Sequence, residues 1–162
     1  APGVLRRLRT VPAPMLVSSP EVAETFRAEA AVGEVLDLAR GAVVTLTGMG
    51  AAVPGGSAVR AGVTTDEEVA EFAARGAVGD TMGEWFDIEG RAVTTRWTTQ
   101  RVGLTLDELR VMSNVVGVAG GAEKADAIRG AVVGGLIDVL VTDEPAAQAL
   151  LDRWADDGGR NR

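Results

Sequence analysis

The sequence predicts a single α/β domain built around a core of parallel strands, and two features carry that prediction. The first is the stretch from Asn114 to Glu144, which reads in order as strand, glycine turn, helix, glycine stop and strand. Two short strands joined by one helix form a βαβ unit, whose strands run parallel with a right-handed crossover. The second is an earlier β-branched run, residues 42–47, which also ends at glycines. Strands alternating with helices in this way are typical of layered α/β folds.

The central unit is divided by glycines. Residues 115–119 and 136–141 are apolar runs with little alternation, so we expect both strands to be buried on both faces. Gly120 and Gly121 turn the chain after the first strand, where the lack of a Cβ removes steric conflict. Residues 122–133 are good helix formers with one apolar stripe and form the predicted crossover helix.

The rest of the chain contains further helix starts and one predicted hairpin. A capping residue followed by proline or by acidic residues occurs at 18–21, 65–68, 105–108 and 142–145. Residues 81–86 and 91–95 resemble two strands around a turn at 87–90, and we expect this hairpin to be an appendage of the parallel core. Residues 1–155 are predicted to form the domain and residues 156–162 a frayed polar tail.

The composition excludes several classes of function. The chain has 162 residues, a net charge of −7 and no cysteine, histidine or tyrosine. These absences exclude disulfides, Ser-His-Asp catalysis and Cys-His catalysis, and they argue against a structural or catalytic zinc site. The negative charge argues against binding of nucleic acid by this chain alone, and no apolar run is long enough to cross a bilayer.

Two charged residues are candidates for ligand binding. Lys124 is the only lysine, and it lies in the first turn of the predicted crossover helix, near the strand ends where α/β sheets bind ligands. It can help to bind an anion there, but it is equally compatible with a solvated position in an arginine-rich chain. Asp80 lies between glycines and aromatic residues, where it can hydrogen-bond a turn or accept a hydrogen bond from a sugar hydroxyl.

The glycine pair at Gly48 and Gly50 does not indicate a nicotinamide site. It lacks the third glycine of the dinucleotide fingerprint, and no helix follows it immediately. The small, glycine-rich segment 51–63 that follows has the composition of a mobile loop over a site, with Arg60 as its one charge.

Several short motifs recur in one order that matches a known family. They are Pro12-Ala13-Pro14, Gly48-Met49-Gly50, Gly76-Ala77-Val78-Gly79-Asp80, Val102-Gly103-Leu104-Thr105, Ala119-Gly120-Gly121 with Lys124, and Thr142-Asp143-Glu144. Over residues 11–151 the chain resembles the sugar-binding effector domain of SorC-type bacterial transcriptional regulators. The resemblance implies a three-layer α/β fold similar to the NagB/RpiA sugar-phosphate isomerases and CoA transferases. It implies binding of a phosphorylated sugar that alters DNA affinity, with no catalytic residue, cofactor or metal.

The resemblance also implies which residues contact the ligand. Asp80 would accept hydroxyl hydrogen bonds, Lys124 would lie near the anionic or carbonyl end, and Arg60 would offer a further polar contact. The complete implied ligand-binding set is Gly48, Gly50, Arg60, Asp80, Gly120, Gly121 and Lys124.

The sequence departs from the family pattern at its start. Family members carry an N-terminal helix-turn-helix, which binds DNA, and a strand with a phosphate loop; neither is found in this sequence, so we expect a partial effector domain. Apolar surface exposed by the missing strands would favour a homodimer or homotetramer in the cytoplasm. Two alternatives stay open at this point: an enzyme of the sugar-phosphate isomerase type, and an oligomerisation fragment that binds no ligand.

Overall fold

The computed structural model describes residues 8–159, with side chains described as far as 155. These residues form eight α-helices, one short 3-10 turn and five strands. The helices are α1 (Pro20–Ala28), α2 (Ala30–Arg40), α3 (Ser57–Arg60), α4 (Asp66–Ala74), α5 (Arg96–Gln100), α6 (Leu106–Arg110), α7 (Ala125–Val133) and α8 (Glu144–Gly159), with a 3-10 turn at Ala122–Lys124. The strands are β1 (Thr45–Ala51), β2 (Gly79–Thr81), β3 (Glu84–Phe86), β4 (Val115–Val118) and β5 (Val139–Val141).

The strands form one mixed sheet in the order β3-β2-β1-β4-β5. Strand β4 pairs in parallel with both β1 and β5, which confirms the predicted α/β class and its parallel core. Strand β1 changes partner along its length: residues Thr45 to Gly48 pair with β4, and Met49 to Ala51 pair antiparallel with β2. The glycines at 48 and 50 therefore lie inside a central strand instead of following one.

The sheet is covered unequally on its two faces. Helices α7 and α8 pack on one face along most of the sheet, where Ile128, Leu136 and Ala146 are fully buried with Phe86 of β3. On the opposite face, the helices of the described part of the chain, α4 and α5, cover only the β2–β3 end, where Trp85 packs with Phe72 and Trp97. The domain is therefore three-layered at its antiparallel end and two-layered at its parallel end.

The uncovered part of the second face is a row of apolar side chains. Paired residues of neighbouring strands point to the same side of a sheet, and the register aligns Leu46, Val116 and Val139 in one line and Gly48, Val118 and Val141 in the next. Leu46 is 74% exposed, and Val118, Val139 and Val141 are each about half exposed. The expectation that the parallel strands are buried on both faces is therefore wrong for the described residues, because helices cover only one side of them.

The hairpin is present, but its predicted position was wrong. It consists of β2 and β3 around a two-residue turn, Met82–Gly83, and it is hydrogen-bonded into the main sheet through β1. The turn at 87–90 exists too, but it leads only to an isolated bridge between Phe86 and Ala92. The hairpin therefore extends the sheet and is not an appendage of it.

Other boundaries differ by a few residues. Leu16 and Arg101 form an isolated antiparallel bridge outside the named strands. The segment expected to be a loop after β1 contains helix α3. The backbone of α8 stays helical into the stretch predicted as a frayed tail, and the end of that tail, 160–162, lies outside the described residues together with 1–7.

Two broad classes of site are not found in the described part of the chain. None of its helices combines the length and the apolar character needed to cross a membrane. Within residues 8–159, no group of three or more acidic side chains is arranged to hold a metal ion.

Candidate functional site

A cavity of about 360 Å³ opens on the second face of the sheet, where the three-layered end meets the uncovered end. Gly48, Gly50 and Val118 form its floor on the sheet, and helix α3 and Trp97 of α5 form one wall. Its other lining residues are Met15, Met49, Ser57, Ala58, Val63, Asp80, Met82, Gly83 and Lys124. A cavity with apolar walls and a few convergent polar groups is typical of small-molecule sites.

Asp80 lies in the cavity because the facing strand carries a glycine. Asp80 of β2 is the cross-strand partner of Gly50 in β1, so both residues point to the cavity face. A Cβ at Gly50 would overlap with Oδ1 of Asp80 and would lie 2.9 Å from Oγ of Ser57. The missing side chain at Gly50 therefore provides the space in which the carboxylate lies.

Burial changes the acidity of Asp80. Loss of hydration raises its pKa from 3.8 to about 6, against the opposing effects of the Gly83 amide, which donates a hydrogen bond, and of the positive charge of Lys124. The carboxylate is therefore poorly hydrated and short of hydrogen-bond donors. A ligand that supplies hydroxyl groups would satisfy that need.

Lys124 provides the cationic side of the cavity. It ends the 3-10 turn after β4, where its amide donates to the carbonyl of Gly121 at 3.0 Å. Its charge opposes part of the rise in the pKa of Asp80. It also adds to the lowering of the pKa of Asp143, which comes mainly from the amides of Gly121 and Ala146. The ammonium group is therefore close enough to influence both the acid in the cavity and the residue that caps α8.

Two threonine hydroxyls fix the backbone beneath the cavity floor. The hydroxyls of Thr47 and Thr81 lie 2.6 Å apart on the opposite face of the sheet, and Thr81 Oγ1 donates to the carbonyl of Gly48 at 3.0 Å. Both side chains are buried. These bonds hold β1 and β2 together at the point where β1 changes partner, and so they fix Gly48 relative to Asp80.

The structure brings four of the seven predicted ligand-binding residues to this cavity, namely Gly48, Gly50, Asp80 and Lys124. Arg60 does not line it; its guanidinium donates to the carbonyl of Gly55 at 2.5 Å in the preceding turn. Gly120 and Gly121 do not line it either. The amide of Gly121 donates to the carboxylate of Asp143, which caps α8, so this glycine turn already has an anionic partner.

Several lining residues were missed by the sequence analysis. The Met82–Gly83 turn was hidden by the wrong position of the hairpin, although a glycine after Thr81-Met82 was a weak signal for it. Ser57 belongs to the glycine-rich segment that was expected to lie over a site, and this was the one available hint. Trp97 reaches the cavity only through tertiary packing, and no local pattern in the sequence indicates it.

Comparison with known proteins identifies the family. The model of the family described as "Putative sugar-binding domain" matches residues 5–152. The chain belongs to this sugar-binding domain family. This chain is 41% identical over 144 residues to the transcriptional regulator LsrR of Klebsiella pneumoniae, and the match covers 87% of this chain and 45% of LsrR.

Solved structures agree with this family assignment. The sugar-binding domain of a transcriptional repressor from Vibrio fischeri matches with a TM-score of 0.78 at 33% identity, over 90% of this chain and 58% of that one. The full-length sorbitol operon regulator SorC from Klebsiella pneumoniae matches with a TM-score of 0.76 at 28% identity, over 85% of this chain and 45% of SorC.

These similarities confirm two predictions and limit a third. The resemblance to SorC-type regulators and the α/β fold are confirmed, and the matching proteins are named as regulators and not as enzymes. The chain spans about half the length of the relatives it matches. The phosphorylation of the ligand and its effect on DNA binding therefore stay predictions.

Proposed function

We propose that this domain binds a phosphorylated sugar in the cavity at Asp80 and Lys124 and acts as the ligand sensor of a cytoplasmic transcriptional regulator. The observation that carries the proposal is the pairing of a poorly hydrated carboxylate with the lone lysine in one cavity of about 360 Å³. A carboxylate accepts hydrogen bonds from sugar hydroxyls, and an ammonium group attracts a phosphate. The names of the related proteins support the role in transcription.

The walls of the cavity suit the remainder of a sugar. Met15, Val63 and Trp97 line it and present apolar surface, against which the C–H groups of a sugar ring can pack. In the full-length protein, DNA binding would belong to a helix-turn-helix segment. The ligand would act by favouring one conformation or assembly over another, because a ligand shifts an equilibrium toward the state it binds more tightly.

The first prediction concerns affinity. In calorimetry with a panel of sugar phosphates and their unphosphorylated parents, at least one phosphorylated sugar is expected to bind. Asp80→Ala and Lys124→Ala should each weaken that binding by about 1–3 kcal/mol, because each removes one partner of a buried polar contact. The lysine variant should in addition reduce the preference for the phosphorylated form.

The control is Asp37→Ala, which removes a carboxylate that is 75% exposed and paired with Arg40 away from the cavity. It should leave affinity unchanged. Equal affinity in all three variants and the parent would refute the site. Silence of the parent across the whole panel would favour the oligomerisation fragment, and turnover of any sugar phosphate would favour the isomerase.

The second prediction concerns self-association, which we propose for the uncovered apolar face. A contiguous apolar surface of this kind is unusual on a protein that remains monomeric. In sedimentation experiments the parent is expected to form a dimer or tetramer, and Val139→Lys should shift it toward monomer. Val111→Lys is the matched control, because Val111 is 84% exposed but lies at the end of α6, outside the sheet. Equal effects of the two substitutions would contradict the proposed interface.

A further inference from the structure

The turn Met82–Gly83 is a part of the cavity that needs support from its surroundings. Both residues have positive φ, 52° for Met82 and 76° for Gly83, as a two-residue hairpin turn of type I′ requires. Glycine adopts this conformation freely, but a long side chain such as that of methionine does so only at a cost. The turn nevertheless has a defined task, since both of its residues line the cavity beside Asp80, and the Gly83 amide opposes the rise in the pKa of that carboxyl.

Arg101 supports this turn from behind the cavity. Its side chain is only 3% exposed, and its Nη2 donates to Oε1 of Glu84 at 2.9 Å and also to the carbonyl of Leu104. Glu84 follows the turn directly and accepts a second bond at Oε2 from the amide of Leu106, at 2.9 Å. The arginine also packs on the turn, because a Cβ at Gly83 would lie 3.1 Å from Cδ of Arg101.

The backbone of Arg101 contacts two more walls of the cavity. Its amide donates to the carbonyl of Trp97 at 3.1 Å, and it forms the isolated bridge with Leu16. The amide of the next residue, Val102, donates to the carbonyl of Met15 at 2.8 Å. Arg101 is therefore bonded to the segments that carry Met15, Gly83 and Trp97, although it does not itself line the cavity.

Stability alone is a weak reason for a buried ion pair at this position. Desolvation of the two charges offsets most of their attraction, and replacement of such pairs by apolar side chains is often neutral. Here the cost is larger still, since Nε of Arg101 is buried with no hydrogen-bond partner among the described residues. The pair does fix the orientation of each backbone group to which it is hydrogen-bonded.

We infer that Arg101, paired with Glu84, is a positioning residue of the ligand site, which holds the Gly83 amide against Asp80 and fixes the wall formed by Met15 and Trp97. The role in ligand binding rests on the proposed sugar-binding function, whereas the contacts of Arg101 do not depend on it. It assigns a role in ligand binding to a residue that touches no ligand.

The test compares Arg101→Met with Arg110→Met. Arg110 is a matched control, because it also bonds a neighbouring acid and two backbone carbonyls, those of Gly90 and Gly134, but it does so away from the cavity. Two quantities are measured: the Kd for the sugar phosphate that binds the parent most tightly, and the carboxyl titration of Asp80 followed by carbon NMR.

Arg101→Met is expected to weaken binding roughly tenfold or more and to raise the pKa of Asp80 above its parent value, because the Gly83 amide is no longer held in place. Arg110→Met should lower stability without changing either quantity, and Arg101→Lys should restore part of both. If Arg101→Met does not fold, Arg101→Lys carries the test, with a smaller expected change in the same direction.

The inference is overturned if the variants at 101 and 110 change the Kd and the titration of Asp80 equally. Its failure can be distinguished from failure of the proposed function. If no sugar phosphate binds the parent, the function is wrong, but the titration of Asp80 still decides whether Arg101 positions the Gly83 amide.

Discussion

Asp80→Asn is expected to raise the free energy of unfolding at pH 8 by about 2–3 kcal/mol while it weakens ligand binding. Burial raises the pKa of Asp80 to about 6 from an ordinary 3.8, so the ionised carboxylate is destabilised in the folded protein. Each unit of difference between the folded and unfolded pKa corresponds to about 1.4 kcal/mol of stability. Asparagine keeps the shape and one acceptor of the side chain and carries no charge, so the folded protein no longer bears this cost.

The sign of the pH dependence follows from proton linkage. Between pH 3.8 and about 6 the folded protein retains a proton on Asp80 that the unfolded chain releases. The stability of the parent therefore falls as the pH rises through this window and does not recover above it. The advantage of Asp80→Asn should be absent below about pH 4 and complete above about pH 7. Urea unfolding followed by circular dichroism at several pH values measures it.

Asp87→Asn is the control with the opposite sign. Burial tends to raise the pKa of Asp87, but the N–H groups of Arg91 and Glu89 outweigh it and keep the pKa below its ordinary value. The parent should therefore be more stable than Asp87→Asn at neutral pH and lose that advantage as the pH falls. If Asp80→Asn behaved like Asp87→Asn, the carboxylate of Asp80 would be a structural group and not one kept for a ligand.

Opposite effects on stability and binding are characteristic of a functional residue. A side chain selected only for folding would not keep a buried carboxylate whose charge is poorly satisfied. A binding site needs such unsatisfied groups, because their hydrogen bonds are to be formed with the ligand. Asp80 fits this pattern.

The sequence was sufficient to predict those elements whose ends are chemically marked. Thr65 and Thr105 form capping boxes with Glu68 and Glu108, as predicted, because these bonds form within four residues of chain. The unit around α7 was predicted for the same reason, since glycines limit it on both sides. The hairpin was misplaced because Met82 occupies a position with positive φ where asparagine or glycine is usual, and its φ is imposed by tertiary contacts.

Burial and the cavity depend on packing that no local pattern records. A β-branched run looks the same whether helices cover both faces of its strand or only one, so the exposure of Val139 and Val141 could not be predicted. Asp80 and Lys124 were predicted chiefly through a resemblance to a family. Trp97 and Arg101 were not, because their contacts lie between segments distant in sequence.

Gly50→Ala is expected to weaken ligand binding by about 10–100-fold without unfolding the protein. The new methyl group would overlap with the carboxylate of Asp80, which is the end of a side chain and can rotate away. The displaced carboxylate would leave the Gly83 amide and become hydrated, so its pKa should fall from about 6 toward 3.8. Loss of one or two buried ligand contacts, at about 1–3 kcal/mol in total, corresponds to the stated change in Kd.

Gly48→Ala is the matched control for that prediction. It makes the same chemical change two residues earlier on the same face of β1, but a Cβ there meets no atom within 4 Å. It should leave the titration of Asp80 near 6 and reduce affinity only as far as a methyl group on the cavity floor crowds the ligand. An unchanged titration in Gly50→Ala would show that Asp80 does not depend on this glycine for its place. The two variants together therefore separate the position of the carboxylate from the volume of the cavity, which are the two properties that a glycine-rich strand gives to this site.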